Sequence, residues 1–212
     1  PTTRLLCLEN SINMGGGNYY SLSEITALID AAREHGLRTH LDGARLFNVI
    51  VETGDTTQAY GALFNSISIC LSKGLGAPVG SVLISDADTI AMARRVRKVM
   101  GGGMRQSGYL AAAGLYALDH HIDRLREDHR KARLCAEKLK SATWVKEVFP
   151  VPTNIVIFQV ADHLSATAVA KTLSTLGIQC APVNDRLVRW VFHLDITDEM
   201  VEYILQMPDN LP

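Results

Sequence analysis

The 212-residue sequence has almost no net charge, with 21 Lys and Arg set against 22 Asp and Glu for a balance of -1. Without a basic excess there is nothing to draw it to nucleic acid or an anionic membrane, and neither is expected as a partner. No apolar run approaches the length of a membrane span, and the first residues lack the pattern of a signal peptide. The cysteines Cys7, Cys70, Cys135 and Cys180 stand singly, with no Cys-x-x-Cys pair and no cluster of metal-ligating neighbours. They read as reduced core residues of a cytoplasmic protein, and no metal is expected. No internal repeat or low-complexity tract is present, which excludes a solenoid. What the chain does have is 47% hydrophobic and 20% charged residues, enough to build a sizeable soluble core.

Strand and helix patterns alternate along the chain, as in a parallel or mixed sheet. Arg4 to Glu9 reads as a strand that runs into the Gly15-Gly-Gly17 loop, and Ser21-Leu-Ser-Glu24 opens an amphipathic helix with a capping box. A strand over 37–41, a helical stretch, a strand over 66–71 and another over 79–85 follow. Residues 86–99 form a basic helix bearing Arg94, Arg95, Arg97 and Lys98. One long helix is expected from just after Gly103 to Lys140. Beyond it the pattern predicts strands over 154–160, 178–182 and 186–193 and helices over 165–176 and 197–206. The glycines at 15–17 are not followed by the strand-to-helix turn of a phosphate loop and are not assigned as one.

Two polar residues interrupt this apolar pattern. Lys73 follows Ile67, Ile69 and Leu71 at strand alternation and is the sole charge between Asn65 and Ile84. Partial burial there would lower its pKa and make the amine nucleophilic, which suits the anchoring of pyridoxal phosphate. Asp42 ends a second short strand, with Gly43 allowing a sharp turn and Arg45 close behind. At the carboxyl ends of neighbouring strands Asp42 and Lys73 would face one ligand, the carboxylate keeping a pyridinium nitrogen protonated. Asp42 is also suited to capping the turn that follows it.

Five segments in order carry a resemblance that covers nearly the whole chain: Leu8-Glu-Asn-Ser11, Asp42-Gly-Ala-Arg45, Ser72-Lys-Gly-Leu-Gly-Ala-Pro78, Gly101-Gly-Gly-Met-Arg-Gln106 and Leu187-Val-Arg-Trp-Val-Phe-His-Leu-Asp195. Together they resemble the low-specificity L-threonine aldolases of the aromatic amino acid beta-eliminating lyase group. The resemblance implies an α/β protein with the large domain of fold-type I pyridoxal-phosphate enzymes, its sheet mostly parallel and its N-terminal part missing. A small C-terminal α/β domain completes it. The expected division is a partial cofactor domain over 1–118, then a linker helix and small domain over 119–212. The chain reads as incomplete, because the resemblance implies an upstream phosphate loop and ring-stacking residue that this sequence does not contain.

The resemblance also implies roles. Lys73 and Asp42 are catalytic and hold the cofactor. Arg45 contacts cofactor and substrate, and with Arg189 it clamps the substrate carboxylate through planar, bidentate hydrogen bonds. Arg105 resembles an arginine that contacts the cofactor phosphate of a neighbouring subunit, and Lys98 belongs near the same site, on the substrate side. These two residues imply a homodimer or homotetramer with shared active sites. The expected reaction cleaves threonine, allo-threonine or a related β-hydroxy amino acid to glycine and an aldehyde. The alternatives are another β-eliminating lyase on the same cofactor, or a truncated homologue without turnover. One departure stands out: Ile12 lies where the family usually has a histidine near the substrate's β-hydroxyl, and isoleucine can neither accept nor relay a proton.

Overall fold

A computed structural model describes residues 2–209. The chain divides into two compact units. The first holds the segment up to Ser11 and Tyr19–Asp123; the second holds Ile12–Asn18 and everything from Arg124. A seven-residue loop from the N-terminal region is grouped with the second unit.

The first unit is built on a four-stranded sheet in the order β1 (Leu5–Glu9), β2 (Arg38–Asp42), β3 (Ser66–Cys70), β4 (Ser81–Ser85). The first three strands are parallel and β4 runs antiparallel against β3. Helix α1 (Leu22–Glu34) starts where predicted: the Ser21 hydroxyl accepts from the Glu24 N–H, and the Glu24 carboxylate accepts from the Ser21 N–H. Its Ile25, Ile29 and Ala32, spaced for one helical face, are buried. Ile25 and Ile29 join a core with Leu41, Leu46, Tyr60, Phe64 and Ile67. The helical stretch after Asp42 is two helices, α2 (Leu46–Thr53) and α3 (Thr57–Leu63), because Gly54 takes a left-handed φ of 78° and ends the first. Helix α4 (Ala87–Val99) buries none of its residues.

The expected long helix is also two. Helix α5 (Gly108–His120) stops at His121, whose Nδ1 lies 2.6 Å from the Leu75 carbonyl. Helix α6 (Leu125–Ser141) begins afresh, with Arg124 donating from both terminal nitrogens to the fully buried Asp128 carboxylate one turn on. In the second unit an antiparallel sheet runs β5 (Val145–Val148), β6 (Ile155–Val160), β8 (Leu187–Val191), β7 (Ala181–Pro182). The edge strand β5 is too short and polar to show in the sequence pattern. β7 comprises only the last two residues of the strand predicted over 178–182. Helices α6, α7 (Ala166–Thr175) and α8 (Asp198–Leu205) cover one sheet face through Val156, Phe158, Val188 and Trp190. The other face carries Ile155, Ile157 and Arg189.

All four cysteines are free. Cys135 is the core residue expected, with burial pushing its thiol up to about 12, whereas Cys7 is exposed and Cys70 and Cys180 are half-buried. No helix among the described residues is long and apolar enough to cross a membrane.

Candidate active site

Parallel pairing puts the ends of β1, β2 and β3 at one edge of the first sheet. Glu9 pairs with Asp42, and Asp42 with Ser68. Asp42 is the last residue of β2 and is exposed. Its Oδ1 accepts from the Ala44 N–H at 3.1 Å, so one carboxylate oxygen caps the following turn. This bond uses a single oxygen and leaves the group a strand-end carboxylate. Gly43 next to it is required by close approach: its N–H donates to the Ser68 carbonyl at 2.8 Å, and a Cβ there would lie 2.9 Å from that oxygen. The turn after Asp42 is therefore pressed against β3, the strand that leads to Lys73. Arg45 is half-buried and precedes α2.

Lys73 lies three residues past β3, in a loop closed at its base by Leu71 N–H donating to the Gly80 carbonyl and by Ala77 N–H donating to the Leu71 carbonyl. Leu75 is buried and its carbonyl meets the His121 ring, so α5 pins the loop. Lys73 itself is exposed, contrary to the partial burial expected of it. The loop buries Gly74, Leu75 and Ala77 instead, turning residue 73 to the outside. The other two cations stand elsewhere in this unit. Lys98, in the last turn of α4, runs alongside Gly103, where a Cβ would come within 2.6 Å of its Cδ; Arg105, two residues on, is exposed. Gly101–Gly103 fold back on the end of α4 through Gly102 N–H, which donates to the Arg97 carbonyl at 2.8 Å.

In the second unit Arg189 is half-buried in β8. Its Nη1 donates to Asn13 Oδ1 at 3.1 Å, while its Nε is buried without a hydrogen-bond partner. A buried guanidinium donor left unpaired is costly. Asn13 belongs to the loop 12–18, in which the sequence singled out Ile12 and the glycines 15–17 but not Asn13. Successive glycines mark close backbone approach, but nothing local marks Asn13, whose partner Arg189 lies 176 residues on. Gly17 has φ of 79° and Gly16 of 72°; they lie against Ile155 and Ile157, and a Cβ on Gly17 would collide with Thr153 Oγ1. Ile12 is half-buried and packs on its own loop, its Cγ2 lying 3.0 Å from where a Gly15 Cβ would be. Of the histidines, His40 pairs with Ser66 Oγ at 2.8 Å and His129 is buried. Among the described residues no group of three or more His, Cys, Asp or Glu stands together to hold a metal ion.

Residues 1–163 match the family model described as beta-eliminating lyase. The chain belongs to this family. A low-specificity L-threonine aldolase of Arabidopsis thaliana is 40% identical over 208 residues, covering 97% of this chain and 58% of the relative. The corresponding enzyme of Escherichia coli K12 is 40% identical over 201 residues, covering 94% and 57%. The chain thus spans somewhat more than half the length of these relatives. A solved threonine aldolase of Leishmania major superposes with a TM-score of 0.78 at 20% identity, covering 96% of this chain and 59% of that one. A histidinol-phosphate aminotransferase of Clostridium acetobutylicum superposes at 0.69 and 15% identity, covering 95% and 62%. At such identities the likeness establishes the backbone alone: the fold of type I pyridoxal-phosphate enzymes, shared by a lyase and a transferase.

Proposed function

We propose that this protein is a pyridoxal-phosphate-dependent aldolase that cleaves L-threonine, L-allo-threonine or a related β-hydroxy amino acid to glycine and an aldehyde. The observation that carries this reading is the placement of Asp42 at the carboxyl end of β2 and of Lys73 three residues beyond that of the adjacent parallel β3. Identity of 40% to enzymes of that name over almost all of the chain supports the choice of reaction. The residues present fit the cofactor: an exposed amine to hold it covalently and a carboxylate with a free oxygen to face a pyridine nitrogen.

When bound, the cofactor supplies an electron sink for the bond broken at the substrate's Cα. Everything else falls to the chain. Lys73 would hold the cofactor covalently through its amine, which when free can take or give a proton. Asp42 would keep the ring nitrogen protonated. Arg189, whose Nε lacks a partner, and Arg45 grip the substrate carboxylate and so fix which bond at Cα breaks. Arg105 and Lys98 are the candidate anion-binding residues of a dimer or tetramer with shared sites, Arg105 toward a phosphate and Lys98 toward substrate. The β-hydroxyl proton must leave as the bond breaks, and Ile12 offers no acceptor for it, so a water or another residue takes that proton. The free cysteines support a cytoplasmic location.

Two measurements test the reading. Borohydride reduction of the cofactor-loaded protein followed by peptide mapping should label Lys73, and label on another lysine would rule the anchor out. Product analysis should give glycine with acetaldehyde from threonine. Ammonia with a keto acid would mean that the same site performs a β-elimination.

A further inference from the structure

Arg189 sits in an unusual setting for a cation. It is the middle residue of β8, with Ile157 opposite it on β6 and Ala181 opposite on β7, neither of which offers a side-chain acceptor. No carboxylate pairs with it among the described residues. Among the described residues its hydrogen-bond partner is the carboxamide of Asn13, 176 residues earlier in the chain.

Asn13 is held there by the loop that carries it. Ile12 N–H donates to the Asn18 carbonyl at 2.7 Å and Gly17 N–H to the Ile12 carbonyl at 2.9 Å, closing the loop on itself. The Thr153 hydroxyl donates to the Gly17 carbonyl at 2.9 Å, fastening the loop to the residues that lead into β6. Gly16 lies over Ile157, the cross-strand neighbour of Arg189. The loop is thus seated on the sheet beside the guanidinium, and the acceptor it presents is neutral.

Neutrality matters. An aspartate in this place would hold the guanidinium as well but would also cancel its charge and compete with an incoming anion. A carboxamide oxygen occupies one edge of the fork and leaves both the charge and the other donors for a ligand. We infer that Asn13 is the positioning residue of Arg189, orienting its guanidinium so that the unpaired donors meet the carboxylate of the amino acid. This rests on the reading of Arg189 as a carboxylate-binding group, and the experiment separates the two ideas.

The parent protein and the variants Asn13→Ala, Asn13→Asp, Arg189→Ala and the double alanine variant are loaded with cofactor and titrated with glycine. Asn13→Ala should weaken glycine binding about tenfold, as expected for the loss of one charge-assisted hydrogen bond, with kcat at saturating substrate little changed. Asn13→Asp keeps an acceptor in place but ties up the charge, so it should weaken glycine binding while retaining the fold of the loop. In the Arg189→Ala background, Asn13→Ala should add nothing, since a positioning residue acts only through its target. In cofactor-free protein the Nε–H of Arg189, followed by NMR, should exchange with solvent faster once Asn13 is alanine. Unchanged glycine affinity in Asn13→Ala or Asn13→Asp, or losses that add in the double variant, would overturn the inference while the role of Arg189 survives. If Arg189→Ala itself binds glycine as the parent does, the carboxylate-binding role falls and the positioning role with it.

Discussion

The hydroxyl of Thr153 donates a 2.9 Å hydrogen bond to the carbonyl of Gly17, and the same oxygen occupies the space a Gly17 side chain would need. Contact and vacancy are one arrangement: the loop 12–18 approaches β6 closely because residue 17 has no Cβ, and it stays there because Thr153 binds its backbone.

Gly17→Ala should therefore destabilise the protein on two counts, a left-handed φ of 79° and a collision with a buried threonine. The expected loss is about 1–3 kcal/mol, read as a lower urea midpoint. Gly36→Ala has a similar φ of 66° but nothing within 4 Å of its Cβ, so it should cost less. Equal losses at the two positions would mean that the Thr153 contact contributes nothing.

Asp42→Asn retains the side-chain volume and an oxygen to accept from the Ala44 N–H, so the turn should survive. What it removes is the negative charge proposed to keep the ring nitrogen protonated. Turnover should fall by much more than cofactor affinity, with an unchanged thermal midpoint. A folded, loaded variant with full turnover would leave Asp42 only its capping role.

Ile12→His restores the residue that the family usually carries. If a general base at this position handles the β-hydroxyl proton, threonine cleavage should accelerate by ~10²-fold or more. If Ile12 instead shapes an apolar pocket, the parent should prefer aromatic β-hydroxy amino acids, and the substitution should reduce that preference. A parent that cleaves threonine rapidly and gains nothing from histidine would point to another proton acceptor.

Tyr60 gives a pH-dependent check on the core of the first unit. Burial, reinforced by the nearby Asp55 carboxylate that accepts its hydroxyl proton at 3.2 Å, raises the phenol above its ordinary value. The folded state then keeps a proton that the unfolded state releases above about pH 10. Stability linked to this group is complete below that pH and is lost as the pH rises further toward the raised folded value. Urea unfolding between pH 8 and 11 should show a steeper alkaline decline for the parent than for Tyr60→Phe, and parallel curves would contradict the assignment.

Residue pattern alone singled out Lys73 and Asp42 as candidates, because a charge that follows an apolar strand beside a glycine turn is visible in one dimension; Arg45, Lys98, Arg105 and Arg189 became candidates through the family resemblance. The same local logic gave α1, whose capping box and apolar spacing lie within a few residues of one another. It also gave the alternation that makes β1, β2 and β3 parallel. It missed the break at His121, because the group that fixes the end of α5 is the Leu75 carbonyl, 46 residues away. It placed Lys73 in partial burial, because strand alternation says nothing about which residues of the following loop turn inward. The meaning of Gly15–Gly17 and of Asn13 was likewise out of reach: their partners, Thr153, Ile157 and Arg189, lie more than 130 residues downstream. Periodicity and capping are local interactions that a sequence displays directly. Close backbone approach and the pairing of a buried guanidinium depend on which distant strand lies opposite, and only the folded chain decides that.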